Sequence, residues 1–240
     1  MFKYLPLGDS AFLIKLGNEI SVETNKKIRA LSIQISQTGI QGIVELIPAY
    51  NELMVCYNPL VINFDLLLEK LKLIENNLHS ISLPPAQIIH IPVCYDPDFA
   101  LDIEFVASTN MLSVDEVKRI HSSSHYLVYM LGFTPGFCYL GGMDSRLTTP
   151  RKETPRIKIE AGSVGIAGSQ SGIYPIDSPG GWQIIGKTPI KPFDPNRQPE
   201  FLIEPGNYIK FNPISTKEFY EIKRLVEKDE YVITREPLDA

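Results

Sequence analysis

Two arginines that each follow a proline are the side chains of this sequence best suited to recognise an anion. Arg151 lies in Thr149-Pro150-Arg151, and Arg156 lies in Thr154-Pro155-Arg156. A proline restricts its own φ angle, so the backbone before each guanidinium group is stiff. Guanidinium groups offer paired donors that match the oxygens of a carboxylate or a phosphate. We therefore predict that Arg151 and Arg156 bind such a group, with ordinary surface charges as the alternative.

A second motif, over residues 181–188, matches the phosphate-loop pattern G-x-x-x-x-G-K-S/T. In a true phosphate loop, backbone amides, a helix N-terminus and the lysine hold the phosphates. Here three prolines follow within seven residues, at positions 189, 192 and 195, and they prevent a helix of several turns. The preceding residues 178–181 indicate a turn rather than a buried strand. We interpret the match as coincidental and predict no phosphate loop.

Histidines and cysteines give no pattern for metal binding or nucleophilic catalysis. No histidine has metal-ligand spacing to a second histidine or cysteine, because His121 and His125 are expected to fall across a helix end. No serine lies in a G-x-S-x-G turn, and Cys138 has no base close by in sequence. We predict no metal site. His121 stays a candidate because it precedes an unusual glycine, proline and aromatic segment, with a structural role as the alternative.

The first 82 residues predict a small α/β domain. The predicted strands are Ala11–Leu16, Ile43–Ile47 and Leu53–Tyr57, and the predicted helices are Ser21–Gln37 and Phe64–Leu78. The order β-α-β-β-α lacks one strand of the ferredoxin-like sandwich, so we expect a ferredoxin-like domain over residues 1–82. Paired prolines in Ser80–Pro85 indicate a linker, because they cannot continue the preceding helix.

The second predicted domain, residues 86–240, differs from the first in its glycine and proline content. Residues 132–213 hold 12 of the 16 glycines and 11 of the 19 prolines, between short β-rich segments typical of a barrel or sandwich. The predicted strands there are Ile157–Ile159, Val164–Ala167, Ile173–Pro175, Trp182–Ile185, Phe201–Ile203 and Tyr208–Phe211. Ser113 with Glu116, and Ser215 with Glu218, form capping boxes that predict two helix starts, the second that of a C-terminal helix.

Composition and charge exclude several classes of protein. The formal net charge of −5 argues against a nucleic-acid partner, because phosphate binding needs a basic surface. Three dispersed cysteines form no disulfide framework, which favours a cytoplasmic location. The uncharged 18-residue stretch Tyr126–Met143 contains four glycines and a proline, so it predicts strand, turn and strand rather than a membrane helix.

Several long motifs in this order resemble one protein family. The motifs are Leu5–Ala11, Tyr126–Gly142, Thr149–Arg156, Ala161–Gly168, Gly172–Pro175 and Ser178–Pro189. Together they are similar to the family of the 5-oxoprolinase B subunit, also called allophanate hydrolase subunit 1 or the sporulation-kinase A inhibitor family. The resemblance implies a small N-terminal α/β domain followed by a cyclophilin-like β-barrel. With the C-terminal helix, the expected fold class is α+β.

The resemblance also implies partners and a reaction. The expected partners are the C subunit of 5-oxoprolinase, which is a related barrel protein, and the lactam-cleaving A subunit. Together the three proteins would open 5-oxoproline to glutamate, coupled to ATP hydrolysis. The resemblance places no ATP site on this chain.

A binding pocket is the corresponding hypothesis for the site. Arg151 and Arg156 would hold a carboxylate or phosphate, and an aromatic cluster would form the apolar wall. The aromatic residues are Phe133, Phe137 and Tyr139, next to glycines that let the backbone turn tightly. His121, Gln170 and Trp182 complete the predicted substrate-binding set, with packing inside the barrel as their alternative.

Two other functions stay open at this stage. One is a regulatory protein that binds and inhibits a sensor histidine kinase, which needs only an exposed apolar patch. The other is an allophanate- or urea-handling protein, which would keep the hydrolase class and change the substrate. We favour a role in 5-oxoprolinase because the family is built around paired subunits.

Overall fold

The computed structural model describes residues 2–75 and 83–238. They divide into two compact units, one ending at Pro84 and the other beginning at Pro85. The end of the predicted second helix, residues 76–78, and the first part of the predicted linker, residues 80–82, lie outside the described residues.

The first unit is an antiparallel sheet with two helices. Its elements are β1 (Lys3–Pro6), β2 (Ala11–Lys15), α1 (Val22–Thr38), β3 (Ile43–Pro48), β4 (Glu52–Tyr57) and α2 (Phe64–Glu75). The strand order is β1-β2-β4-β3. Alternate residues of the central strands, among them Phe12, Ile14, Leu53 and Val55, are fully buried in one hydrophobic cluster with the helices.

Local signals account for most of this unit, and the exception is β1. Ser21 caps α1 as predicted, since its hydroxyl accepts a 3.1 Å hydrogen bond from the backbone N–H of Thr24. Strand β1 was not predicted, and it supplies a fourth strand by pairing Lys3 with Lys15 of β2. Most β1 side chains are exposed, so the strand lacks the alternation that marks a half-buried strand in a sequence.

The second unit contains a closed barrel. The strands of the whole unit are β5 (Gln87–Cys94), β6 (His125–Leu131), β7 (Cys138–Gly141), β8 (Arg156–Ile159), β9 (Ser163–Ala167), β10 (Gln170–Ile173), β11 (Ser178–Gly180), β12 (Gln183–Lys187), β13 (Tyr208–Ile214) and β14 (Arg235–Pro237). Its helices are α3 (Ile103–Thr109), α4 (Val114–Ser123) and α5 (Thr216–Glu227). Seven of the described strands follow each other in the order β12-β9-β10-β7-β6-β13-β5, and pairing of β12 with β5 closes the ring. The predicted barrel is confirmed.

Two further strands form a ribbon outside the barrel. Strands β8 and β11 pair only with each other among the described strands. Ile159 of β8 is buried in a small cluster with Phe137, Tyr174 and Trp182. Cys138, which follows Phe137 in the chain, belongs instead to the main hydrophobic core inside the barrel. The small cluster therefore lies on the opposite face of the barrel wall, beneath the ribbon.

The segments that imitate other motifs have ordinary roles in the barrel. Most of the phosphate-loop-like stretch is strand β12, and the Lys187 ammonium group is paired with Glu160. The uncharged stretch forms the antiparallel strands β6 and β7, as predicted. Among the described residues, no helix is long and apolar enough to cross a membrane. Both predicted capping boxes are present at the starts of α4 and α5.

Not every predicted strand is correct. Tyr174 and Pro175 follow β10 rather than belonging to it, because β10 ends at Ile173. Phe201 forms a single bridge to Phe193 instead of a strand, in a segment where prolines remove backbone donors.

Candidate functional site

A cavity of about 300 Å³ lies at the small cluster on the outside of the barrel wall. Six of its lining residues carry side chains suited to ligand binding: Phe133, Phe137, Tyr139, Arg151, Tyr174 and Trp182. Five of the eight residues predicted from sequence are thus brought together, and Tyr174 is added to them. A small, mostly apolar cavity with a few convergent polar groups is the usual composition of a site for a small polar ligand.

Phe137 organises the aromatic wall. Its ring centroid lies 5.1 Å from that of Tyr139 and 5.4 Å from those of both Tyr174 and Trp182. The rings meet edge to face, the arrangement that aromatic quadrupoles favour. Gly172 lets this layer approach the sheet, because a Cβ at that position would lie 3.0 Å from the Trp182 ring. The wall is therefore closely packed.

The rim of the cavity holds a strained residue. Phe133 is 62% exposed, and its φ of +68° lies in the left-handed region that non-glycine residues rarely adopt. Its ring still contacts Phe137 at a centroid distance of 5.7 Å. Strained backbone of this kind tends to occur where function requires it. Because its exposed ring contacts Phe137, Phe133 extends the apolar wall toward solvent.

Arg151 provides the positive charge of the cavity. Its side chain is exposed, and within residues 2–75 and 83–238 it takes part in no ion pair or hydrogen bond. No carboxylate of the described chain neutralises the guanidinium group, so it is available to an anionic ligand.

Arg156 is engaged differently from the prediction. Its Nη2 donates a 2.7 Å hydrogen bond to Oδ1 of Asp102, and its Nη1 donates to the Trp182 carbonyl at 3.4 Å. Asp102 is buried, and burial alone would raise its pKa. Hydrogen bonds from Arg156 and from the Ile184 backbone outweigh that effect and hold the pKa below its ordinary value. The carboxylate that Arg156 holds is therefore the protein's own.

His121 lies in the barrel interior and does not line the cavity. The imidazole is fully buried, with Nδ1 at 2.7 Å from the Tyr95 hydroxyl and Nε2 at 2.9 Å from the Ser171 hydroxyl. Burial lowers the pKa of His121 to about 3, so the ring is neutral. It also stacks on Phe211 at a centroid distance of 4.5 Å. The structure supports the alternative interpretation, a core histidine.

Gln170 is the third predicted residue outside the cavity lining. It is the first residue of β10 and is partly buried. Gln170 lies on the same face of β10 as Gly172, the residue that underlies Trp182, but it is displaced from Gly172 by two residues along the strand.

Sequence reasoning missed Asp102 and Tyr174. Asp102 precedes α3 and is 54 residues from its partner Arg156, so no local pattern connects the two. Tyr174 belongs to the motif Gly172–Pro175, which carried the family resemblance, and that motif was the available signal.

A larger cavity of about 450 Å³ lies between α5 and the barrel, but its lysines are already paired with acidic side chains. Lys187 is bound to Glu160, and Lys191 lies 3.5 Å from Asp194. Among the described residues, no group of three or more histidine, cysteine or acidic side chains has the arrangement of a metal site. The smaller aromatic cavity is therefore the better candidate site.

Comparison with known proteins agrees with the architecture. The family model of the carboxyltransferase domain, subdomain C and D, matches residues 2–203. The 5-oxoprolinase B subunit of Bacillus subtilis (strain 168) is 44% identical over 227 residues, which cover 90% of this chain and 95% of that protein. The chain belongs to the family of the 5-oxoprolinase B subunit, within the carboxyltransferase domains.

One further relative supports this family, and one solved structure supports the fold. The 5-oxoprolinase B subunit of Escherichia coli O157:H7 is 37% identical, over 86% of this chain and 94% of that protein. The crystal structure of Kluyveromyces lactis urea carboxylase superposes with a TM-score of 0.81, over 98% of this chain and 24% of that chain. At 22% identity, the second similarity shows that this chain and part of urea carboxylase share a fold.

Proposed function

We propose that this chain is the B subunit of an ATP-dependent 5-oxoprolinase, which opens 5-oxoproline to L-glutamate together with partner subunits. The relatives that match over nearly their whole length carry that name. The structural observation that supports the proposal is the unpaired Arg151 beside a wall of edge-to-face aromatic rings. A five-membered lactam with one carboxylate matches a cavity that offers one cation and apolar walls.

The residues of this chain have binding and positioning tasks in the proposal. Arg151 binds the substrate carboxylate, because an exposed guanidinium without a protein partner gains most from a ligand anion. Phe137 and Trp182 pack against the ring and exclude water from one side of it. The Asp102–Arg156 ion pair fixes the Trp182 backbone, and hence the wall of the cavity.

ATP is the co-substrate of the proposed reaction, and it supplies the phosphoryl group that activates an otherwise unreactive amide. The described residues of this chain do not form a phosphate loop, since residues 183–187 are a strand and Lys187 is bound to Glu160. We therefore assign no ATP contact to this chain, and we expect ATP to be used by the assembled complex.

The proposed complex contains a barrel protein like the C subunit of 5-oxoprolinase and a protein like its A subunit, in the cytoplasm. The word subunit in the relatives' names indicates a multi-subunit enzyme. In this proposal the chain is not active alone, because no nucleophile or metal site lies among the described residues that line the cavity.

The deciding experiment is ATP-dependent 5-oxoproline turnover by the co-expressed subunits, with this chain present or omitted. Glutamate formation should require this chain and should fall at least tenfold with Arg151→Ala. Arg119→Ala is the matched control, because Arg119 is an arginine on α4 outside the cavity lining. Unchanged turnover without the chain would overturn the proposal and direct attention to binding of a histidine kinase.

A further inference from the structure

The Tyr174 side chain reaches the cavity from beneath the β8–β11 ribbon. The residue is 1% exposed, and its ring meets that of Phe137 edge to face at 5.4 Å. The hydroxyl lies against Gly180, where a Cβ would come within 2.4 Å of the phenolic oxygen. Tyr174, Gly180 and Arg151 all line the same cavity. The buried Tyr174 and the exposed Arg151 thus line the same small cavity.

The Tyr174 hydroxyl is available as a hydrogen-bond donor. Within the described parts of the chain, no side-chain acceptor takes its proton. Burial raises the pKa of Tyr174 to about 12, while the charge of Arg151 and the Trp182 backbone N–H act in the opposite direction. The phenol therefore keeps its proton at neutral pH. Because Tyr174 lines the cavity, this phenol can donate its proton to a ligand oxygen there.

We propose that the Tyr174 hydroxyl donates a hydrogen bond to the neutral carbonyl oxygen of the ligand, while Arg151 binds the ligand's carboxylate. The two groups suit different oxygens, because a guanidinium favours an anion and a neutral phenol suits an amide carbonyl. The cavity would thereby select small cyclic amides that carry a carboxylate. This inference rests on the proposed function and adds a second recognition contact to the same site.

Trp182 fluorescence allows the proposed contacts of Tyr174 and Arg151 to be tested separately in this chain. It is the single tryptophan of the sequence and lines the cavity, so its fluorescence reports ligand binding without partner subunits. Three ligands divide the contacts: 5-oxoproline has both oxygen groups, 2-pyrrolidinone has only the lactam carbonyl, and L-proline has only the carboxylate. Each is titrated against the wild type, Tyr174→Phe and Arg151→Gln.

The two variants should give opposite patterns. Tyr174→Phe should weaken binding of 5-oxoproline and 2-pyrrolidinone by about three- to tenfold and leave L-proline unchanged, as expected for one neutral hydrogen bond. Arg151→Gln should weaken binding of 5-oxoproline and L-proline and leave 2-pyrrolidinone unchanged. Unaltered circular dichroism would show that both variants fold.

Each other outcome has a defined meaning. Equal binding of all three ligands by Tyr174→Phe and the wild type overturns the Tyr174 inference, while turnover by the complex still supports the proposed function. Loss of all three ligands by Tyr174→Phe would mean that the hydroxyl maintains the cavity shape, which also overturns the inference. No fluorescence change with any ligand in the wild type would overturn this cavity as the site, and turnover by the complex would then test the function separately.

Discussion

Asp102 and Arg156 are joined by a 2.7 Å hydrogen bond between oppositely charged groups, although they lie 54 residues apart. The other oxygen of Asp102 accepts a 2.7 Å hydrogen bond from the backbone N–H of Ile184. The carboxylate therefore links the start of α3, the ribbon strand β8 and the barrel strand β12. Because Arg156 also contacts the Trp182 carbonyl, this link fixes one wall of the cavity.

Asp102→Asn should destabilise the second unit by about 2–3 kcal/mol, because the Arg156 charge would be left in a partly buried position without its partner. Urea denaturation measures the change. The matched control is Asp177→Asn, which removes an exposed pair with Lys158 and should cost less than about 0.5 kcal/mol. Equal effects of the two substitutions would show that Asp102 has no special role in the link.

The Asp102 link also has a defined pH dependence. The folded-state pKa of Asp102 lies below its ordinary value of 3.8, so the unfolded chain takes up a proton first as the solution is acidified. The stabilisation is therefore present above the ordinary pKa and is lost as pH falls through the lower folded-state value. Asp102→Asn should remove this contribution to acid denaturation.

Features set by residues close in sequence could be predicted, and features set by contacts between distant residues could not. The capping boxes at Ser113 and Ser215 were predictable because each cap involves residues three apart. The density of glycine, proline and short apolar segments indicated a barrel or a sandwich, and the family resemblance implied the barrel. Strand β1 has mostly exposed side chains and was not predictable from alternation. The order of strands around the barrel depends on pairings between distant residues.

The candidate site shows the same division. Phe133, Phe137 and Tyr139 are close in sequence and were predicted as one wall, and the structure brings them together. The two arginines have equivalent local sequences, yet of the two only Arg151 lines the cavity without a partner in the described chain. The difference is a single carboxylate, that of Asp102, which no spacing rule connects to Arg156.

His121 should make the stability of the second unit depend on pH in a different range. Its pKa is about 3 in the folded state and 6.5 in the reference state, so the unfolded chain binds the proton first below pH 6.5. Stability from the neutral ring is present above pH 6.5 and declines toward pH 3. The stability advantage of the wild type over His121→Asn should shrink by about 2 kcal/mol between roughly pH 7 and pH 5.

The control for His121 is His125→Asn, four residues further on, where the imidazole is exposed. Free energies of unfolding from urea titrations at the two pH values give the comparison. If the advantage over His121→Asn stays constant with pH, the buried ring is not neutral in the folded protein.

Two adjacent glycines allow a matched test of the cavity geometry. In Gly180→Ala the new Cβ would lie 2.4 Å from the Tyr174 hydroxyl and must displace it. In Gly181→Ala the nearest atom is 3.5 Å away, an ordinary contact. Gly180→Ala should therefore shift the Trp182 emission spectrum and lower stability by about 1–3 kcal/mol, the usual cost of overpacking. Gly181→Ala should change both much less, and similar spectra for the two variants would contradict the position of Tyr174.

The left-handed backbone at Phe133 should reverse the usual ranking of alanine and glycine. Both Phe133→Ala and Phe133→Gly remove the ring that extends the cavity wall, so both should weaken ligand binding equally. At a φ of +68°, however, alanine keeps the steric strain of a Cβ and glycine does not. We expect Phe133→Gly to be more stable than Phe133→Ala by about 1 kcal/mol.

Phe105 supplies the opposite case for the same pair of substitutions. It is 48% exposed and lies within α3, where glycine is less favourable than alanine by about 1 kcal/mol. Phe105→Gly should therefore be the less stable member of its pair, and thermal unfolding of the four variants gives both differences. The same ranking at both positions would mean that Phe133 leaves the left-handed region once its ring is removed. The strain at the rim would then come from packing of the Phe133 ring on Phe137 rather than from the surrounding loop.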